Sequence, residues 1–364
     1  MNDKVSVCLD IIRFAAAMVV FIGHASNGHI SGGLFWQIYP YLQPAVVVFF
    51  VLSGYVIAYV TASSSRGAFP YARDRIARIH SVLLPALLLT VVCDLIGHGA
   101  NPRHYEQLQP ILRDQQWLRY LLSVFVVQNV WNIDMYPGTN GPTWSLTYEV
   151  FYYAIWACVI WTRGLPRAAL LALLLLIAGP SVASLLPIWL LGVLAYRVNA
   201  KQLAGDRRLP WAWLAGMLLL AALLVVEPWV RNEWTIRAPF IRSEIVADYF
   251  CALVFFLLLV LLPSIVQGLE MKDRQVRAIR YIAQSTFVIY LFHYPLIRMF
   301  SGLRPGNAAA PLNWLLVFPV SFLIMLACVP LTNHLQRQIK RLLDSWWARS
   351  SPRPDNKVLT ARGQ

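Results

Sequence analysis

VSVCLDIIRFAAAMVVFIGHASNG, Val5 to Gly28, is the stretch on which the class of this chain turns. A helix of about 20 apolar residues crosses a bilayer. This run is too long for the hydrophobic part of a secretory leader and carries Arg13 and His24 within it, so it reads as a retained span. Counting it as 5–27, comparable runs follow at 41–61, 80–97, 143–162, 168–180, 182–198, 210–227, 245–267, 281–300 and 313–335. They predict an all-α polytopic membrane protein with about ten transmembrane helices. Composition agrees, since 58% hydrophobic and 13% charged residues make the chain far too apolar for an ordinary soluble domain. The membrane domain is expected over 1–335, followed by a basic tail over 336–364 that is helix-prone to Arg349 and disordered beyond it.

Charge orients the spans. The run from Trp117 to Trp131 is short and carries Arg119, Gln128 and Asn129, so it reads as a non-spanning helix, re-entrant or interfacial. With that assignment and a cytoplasmic N-terminus, 21 basic residues lie in cytoplasmic segments and 7 in segments on the other side. The positive-inside rule favours this orientation and places both termini and the tail in the cytoplasm. Counting 117–131 as a crossing would reverse every later loop. The formal charge of +14 is scattered over short loops and not gathered on one face, which argues for topology and against nucleic acid. Cys8, Cys93, Cys158, Cys251 and Cys328 lie in or beside apolar runs without metal-ligand spacing, and no metal is expected.

An ionisable side chain inside a span is costly and is a functional candidate by default, with a paired structural ion as the bland alternative. Arg13, His24, Glu149 and His293 stand out. Arg13 and His24 are eleven residues apart, about 16 Å along one helix. Glu149, in GPTWSLTYEVFYY, is expected a turn or two below the outer face, level with His24. A carboxylate beside an imidazole fixes its tautomer and raises its basicity, as a general base acting on a hydroxyl needs. From spacing alone a structural pair is as good an account. Ser145 shares a helix face with Glu149. In YARDRIARIH, Arg75 and Arg78 share a face just inside the membrane, where two guanidiniums can clamp phosphates or merely set topology. Ser53-Gly54 inside FFVLSGYVIAY suggests a close helix contact.

Five elements in order resemble the acyltransferase 3 family of integral-membrane O-acyltransferases. They are the Arg13/His24 pair separated by ten residues, Phe49-Phe50-Val51-Leu52-Ser53-Gly54, Arg75-Ile76-Ala77-Arg78, Thr143-Trp144-Ser145-Leu146-Thr147-Tyr148-Glu149 and Tyr290-Leu291-Phe292-His293. Each is weak alone, and the ordered set over about 280 residues is specific. Two positions depart from the pattern: Ser81 stands near the place of a common proline, and Val47 replaces a common acidic residue.

The resemblance implies transfer of an acyl group, most often acetyl from cytoplasmic acetyl-CoA, to a hydroxyl of a cell-surface or lipid-linked glycan in a bacterial cytoplasmic membrane. It makes His24 and Glu149 the expected catalytic pair, gives Arg13, Arg75 and Arg78 to the CoA donor, and gives Trp144, Ser145 and His293 to the substrate. Membrane lipids are the other expected partners. The competing class is a proton-coupled transporter using His24, Glu149 and His293 as a relay. It has no use for the paired arginines, which a CoA-phosphate site requires.

Overall fold

The structure is a computed structural model that describes residues 3–63, 67–108, 114–204, 210–303 and 307–350. No strand occurs among the described residues. The main helices are α1 (Asp3–Ala25), α2 (Leu42–Ala62), α3 (Ala68–Ala100), α4 (Gln116–Val124), α5 (Trp144–Trp161), α6 (Gly164–Ala204), α7 (Ala212–Glu233), α8 (Ile245–Val266), α9 (Asp273–Ala283), α10 (Thr286–Gly302) and α11 (Pro311–Ser350). Among the described residues seven helices are long and apolar enough to cross a membrane: α1, α2 with its preceding turn, α3, α6, α7, α8 and α11. α5 and α10, of 18 and 17 residues, are shorter and largely enclosed by the others.

α6 is two antiparallel legs joined at Gly179. At φ 82 this residue occupies a region open to glycine, and a side chain there would collide with Trp131. The second leg runs back through the bundle, where the Trp189 indole donates to Ser53 Oγ at 3.2 Å and the Asn199 amide to Leu259 O at 2.8 Å. It crosses α2 at backbone contact. A Cβ on Gly54 would lie 2.0 Å from Trp189 O, and one on Gly192 would lie 1.9 Å from Val51 O. The close helix contact expected at Ser53-Gly54 is therefore present, with Gly192 as its reciprocal partner.

α3 begins at Ala68, twelve residues before the expected span, so Arg75 and Arg78 ride on the first turns of a long helix and not in a loop. α4 is nine residues long, too short to cross. It enters the bundle between its neighbours, where the Val124 carbonyl meets His80 Nε2 at 3.0 Å. After a turn at Val126 (φ 59) residues 131–134 are exposed, and the chain is inside again at Asn140, whose amide donates to Thr90 Oγ1 at 3.1 Å and to Leu291 O at 3.0 Å. The segment expected not to span turns Arg119, Ser123, Gln128 and Asn129 inward and leaves Trp117, Leu121 and Phe125 exposed.

The two ends of the bundle differ. At one, Lys4 reaches Gln267 O at 2.9 Å, Arg280 meets Asp3 at 3.2 Å, and Arg73 meets Asp344 at 2.8 Å. α11 passes Leu335 without a break and docks on α3 through these ions, a Lys340–Asp74 pair at 3.0 Å and the Phe69–Trp347 stack at 4.2 Å. The expected disorder falls on 351–364, outside the described residues. At the other end, Arg231 joins buried Glu227 to Asp248, the latter at 3.0 Å.

Candidate active site

Inside the basic end, α1, α2, α3, α5 and α10 enclose a cavity of about 770 Å³, a volume that includes its open mouth. Arg13, Arg75 and Arg78 line it together with Ser53, Glu149 and Tyr153. Arg13 is steadied by Asp10 at 3.4 Å, and the Arg75 guanidinium lies 5.8 Å from the centre of the Tyr153 ring. Ser53 Oγ donates to Glu149 Oε1 at 3.1 Å, and the Tyr153 hydroxyl donates to the same oxygen. Three guanidiniums against one carboxylate leave the lining positive. Arg75 Nε is buried without a hydrogen-bond partner among the described residues. A second cavity of about 840 Å³ adjoins it, sharing Arg13, Arg78, Thr286 and Phe287 and adding Asp10, Arg280, Gln284 and Asn333.

Tyr290 closes the inner cavity on the side away from the basic end. Its hydroxyl is 2.7 Å from Ser145 Oγ and 3.2 Å from Pro142 O, and its ring lies 6.3 Å from that of His293. His293 is fully buried. Its Nδ1 is 2.9 Å from the Ile289 carbonyl, which can only accept, so Nδ1 carries the proton and Nε2 the lone pair. No described group hydrogen-bonds Nε2. The half-buried His24 ring stacks on His293 at 5.3 Å and meets the edge of Tyr294 at 4.9 Å.

The expected residues thus fall into two groups. Arg13, Arg75, Arg78, Ser145 and Glu149 come together around the cavity, whereas His24 and His293 form a pair beyond Tyr290. Glu149 is not beside His24, and no hydrogen bond or ion pair joins them among the described residues. The expected equal depth fails for an identifiable reason. The chain is already inside the bundle before α5 starts, with buried Asn140 level with Leu291 of α10. Counting Glu149 from an outer surface therefore placed it too far out, and it faces Arg13's level instead. Trp144 does not line the cavity, and its ring receives the Arg242 guanidinium at 4.9 Å.

Sequence reasoning overlooked Tyr153, Tyr290 and Arg280 at this site and gave Ser53 only a packing role. Tyr153 follows Glu149 at i, i+4, and Tyr290 opens the motif that ends in His293, so both had a signal. Arg280, in a basic amphipathic stretch, had none beyond topology. Among the described residues no group of three or more His, Cys, Asp or Glu side chains could hold a metal.

A family model described as an acyltransferase domain matches residues 6–333. No curated protein and no solved structure matches the chain. The match runs from the start of α1 into the last long helix and takes in both the arginine cavity and the histidine pair. Over nearly its whole length, the chain belongs to the acyltransferase 3 family and is a membrane acyltransferase enzyme.

Proposed function

We propose that the enzyme moves an acetyl group from acetyl-CoA, bound at the basic end of the bundle, to a hydroxyl of a glycan approaching from the opposite face. The observation that carries this reading is the arginine cavity. Three guanidiniums, one with a buried unpartnered N–H, suit an anion bearing several phosphates. The excess of basic residues at the same end supports a cytoplasmic setting for that mouth in a bacterial inner membrane, with both termini on that side.

Arg75 and Arg78 hold the phosphates, Arg13 reaches further along the donor, and Glu149 with Ser53 and Tyr153 keeps the guanidiniums in place. His24 is about 16 Å along α1 from Arg13, a distance an extended pantetheine arm covers once the Tyr290 side chain yields. There His24 takes the proton of the acceptor hydroxyl as its oxygen attacks the thioester carbonyl. The C–S bond breaks, the ester forms, and the departing thiolate is protonated by the imidazolium. A relay through an acyl-His24 uses the same residue. Trapping of an acylated His24 with donor alone distinguishes the two routes.

The test is acetyl-CoA affinity of the purified protein. A charge-assisted hydrogen bond contributes about 1.5–3 kcal/mol, so Arg75→Gln with Arg78→Gln weakens donor binding at least about tenfold. Unchanged affinity in a folded double variant would return these arginines to a topological role.

A further inference from the structure

The second cavity, about 840 Å³ with its open side included, lies between α1, α3, α11 and the junction of α9 with α10. That volume suits a bound small molecule. Its walls differ from those of the arginine cavity, where Val46, Phe49, Phe50, Ile57 and Leu146 separate the ions with apolar surface. In the second cavity Gln284, Asn333 and Gln336 bring amides, Ser81 and Thr332 bring hydroxyls, and Arg280 adds a cation that the arginine cavity lacks. The carboxylate in its wall, Asp10, is held by Arg13 at 3.4 Å and stands within electrostatic reach of Arg78 and Arg280 as well. The chamber is therefore polar and carries an excess of positive charge. Arg280 meets Asp3 at 3.2 Å in a solvent-exposed pair that contributes little, so a phosphate can take the guanidinium at small cost.

Arg13 and Arg78 line both cavities and so mark their junction. A donor whose thioester must pass Tyr290 enters the arginine cavity arm first, which leaves its nucleotide in the second. Coenzyme A carries phosphate at two places, a diphosphate on the ribose 5′ oxygen and a single phosphate on the 3′ oxygen, and each needs its own cation. Arg78 at the junction, with Arg75, serves the diphosphate. We propose that the second cavity is the subsite for the adenosine 3′-phosphate end of the donor and that Arg280 holds the 3′-phosphate through its guanidinium fork. The amides suit the base. Asn333 Nδ2 donates to Gln284 Oε1 at 3.0 Å, which leaves a donor on the Gln284 side chain and an acceptor on that of Asn333. Adenine presents the matching pair, an amino group that donates and a ring nitrogen that accepts. The assignment rests on the proposed donor, and it adds a residue that selects for the donor's 3′-phosphate.

Binding of acetyl-CoA and of 3′-dephospho-acetyl-CoA to the purified protein tests it. The wild type is expected to bind the dephospho form about tenfold more weakly, the worth of one charge-assisted hydrogen bond. Arg280→Gln should bind acetyl-CoA about tenfold more weakly than the wild type and should bind the two forms equally, because removing either partner already removes the interaction. Arg274→Gln, an exposed arginine of the same helix that lines neither cavity, keeps the wild-type preference and so separates the subsite from the general charge of α9. Equal binding of the two forms by the wild type, or a preference that survives in Arg280→Gln, overturns the subsite and leaves the donor reading intact. Failure of the wild type to bind acetyl-CoA at all overturns the donor reading, and the subsite with it.

Discussion

At the scale of the residue, the separation of Glu149 from His24 redistributes the chemistry. An imidazole acting as a base needs its other nitrogen oriented and its charged form tolerated. Among the described residues no carboxylate does this for His24. Its stacked neighbour is His293, whose tautomer is set by the Ile289 carbonyl and whose Nε2 remains an acceptor. His24→Ala is expected to lower acyl transfer by about 10²- to 10⁴-fold, the worth of a general base, with acetyl-CoA affinity retained. Near-normal turnover in reconstituted membranes would remove His24 from the mechanism. Glu149→Gln should behave differently, because its partners are Ser53 and Tyr153 within the arginine cavity. Its first effect is on donor binding, and retained donor affinity with lost turnover would assign it to the chemical step instead.

At the scale of the element, the crossing of α2 and the second leg of α6 holds the tightest glycine contacts among the described residues. Gly54 and Gly192 each face a backbone carbonyl at a distance no Cβ can occupy. Backbone cannot swing aside as a side chain does, so Gly54→Ala should cost more than the 1–3 kcal/mol typical of overpacking. A lower melting temperature in detergent, or lost expression, is the expected readout, and a variant as stable as the wild type contradicts the contact. Much at this scale was legible in the sequence. Long apolar runs announced the helices, the abutting runs 168–180 and 182–198 announced the tight reversal in α6, and Ser53-Gly54 announced the close crossing. The polarity of Arg119, Gln128 and Asn129 announced a segment that does not cross. What stayed hidden was the depth at which that segment returns, because Asn140 binds carbonyl and hydroxyl partners more than a hundred and about fifty residues away in sequence. Depth is a tertiary property, and the register of Glu149 depended on it. The Tyr290 closure and the His24–His293 stack are likewise contacts between distant helices that no local spacing encodes.

At the scale of the whole molecule, the structure gathers at one end the residues that charge counting had assigned to one side. Arg73, Arg280 and Lys340 pair there with Asp344, Asp3 and Asp74, and Arg280 also lines the second cavity that adjoins the arginine cavity. The opposite end holds Arg231 and Arg242 around buried acids. The proposed transfer, with donor taken from one compartment and acceptor met at the other, needs this polarity fixed, and under the positive-inside rule the expected split of 21 basic residues against 7 would supply the bias during insertion. The orientation is testable with single cysteines at exposed positions, Ser350→Cys at the end of α11 and Arg237→Cys after α7. In intact cells a membrane-impermeant maleimide should label Arg237→Cys at once and Ser350→Cys only after permeabilisation. Labelling of Ser350→Cys from outside would invert the molecule and place the arginine cavity on the face where acetyl-CoA is absent, removing the basis for assigning the cavity to that donor.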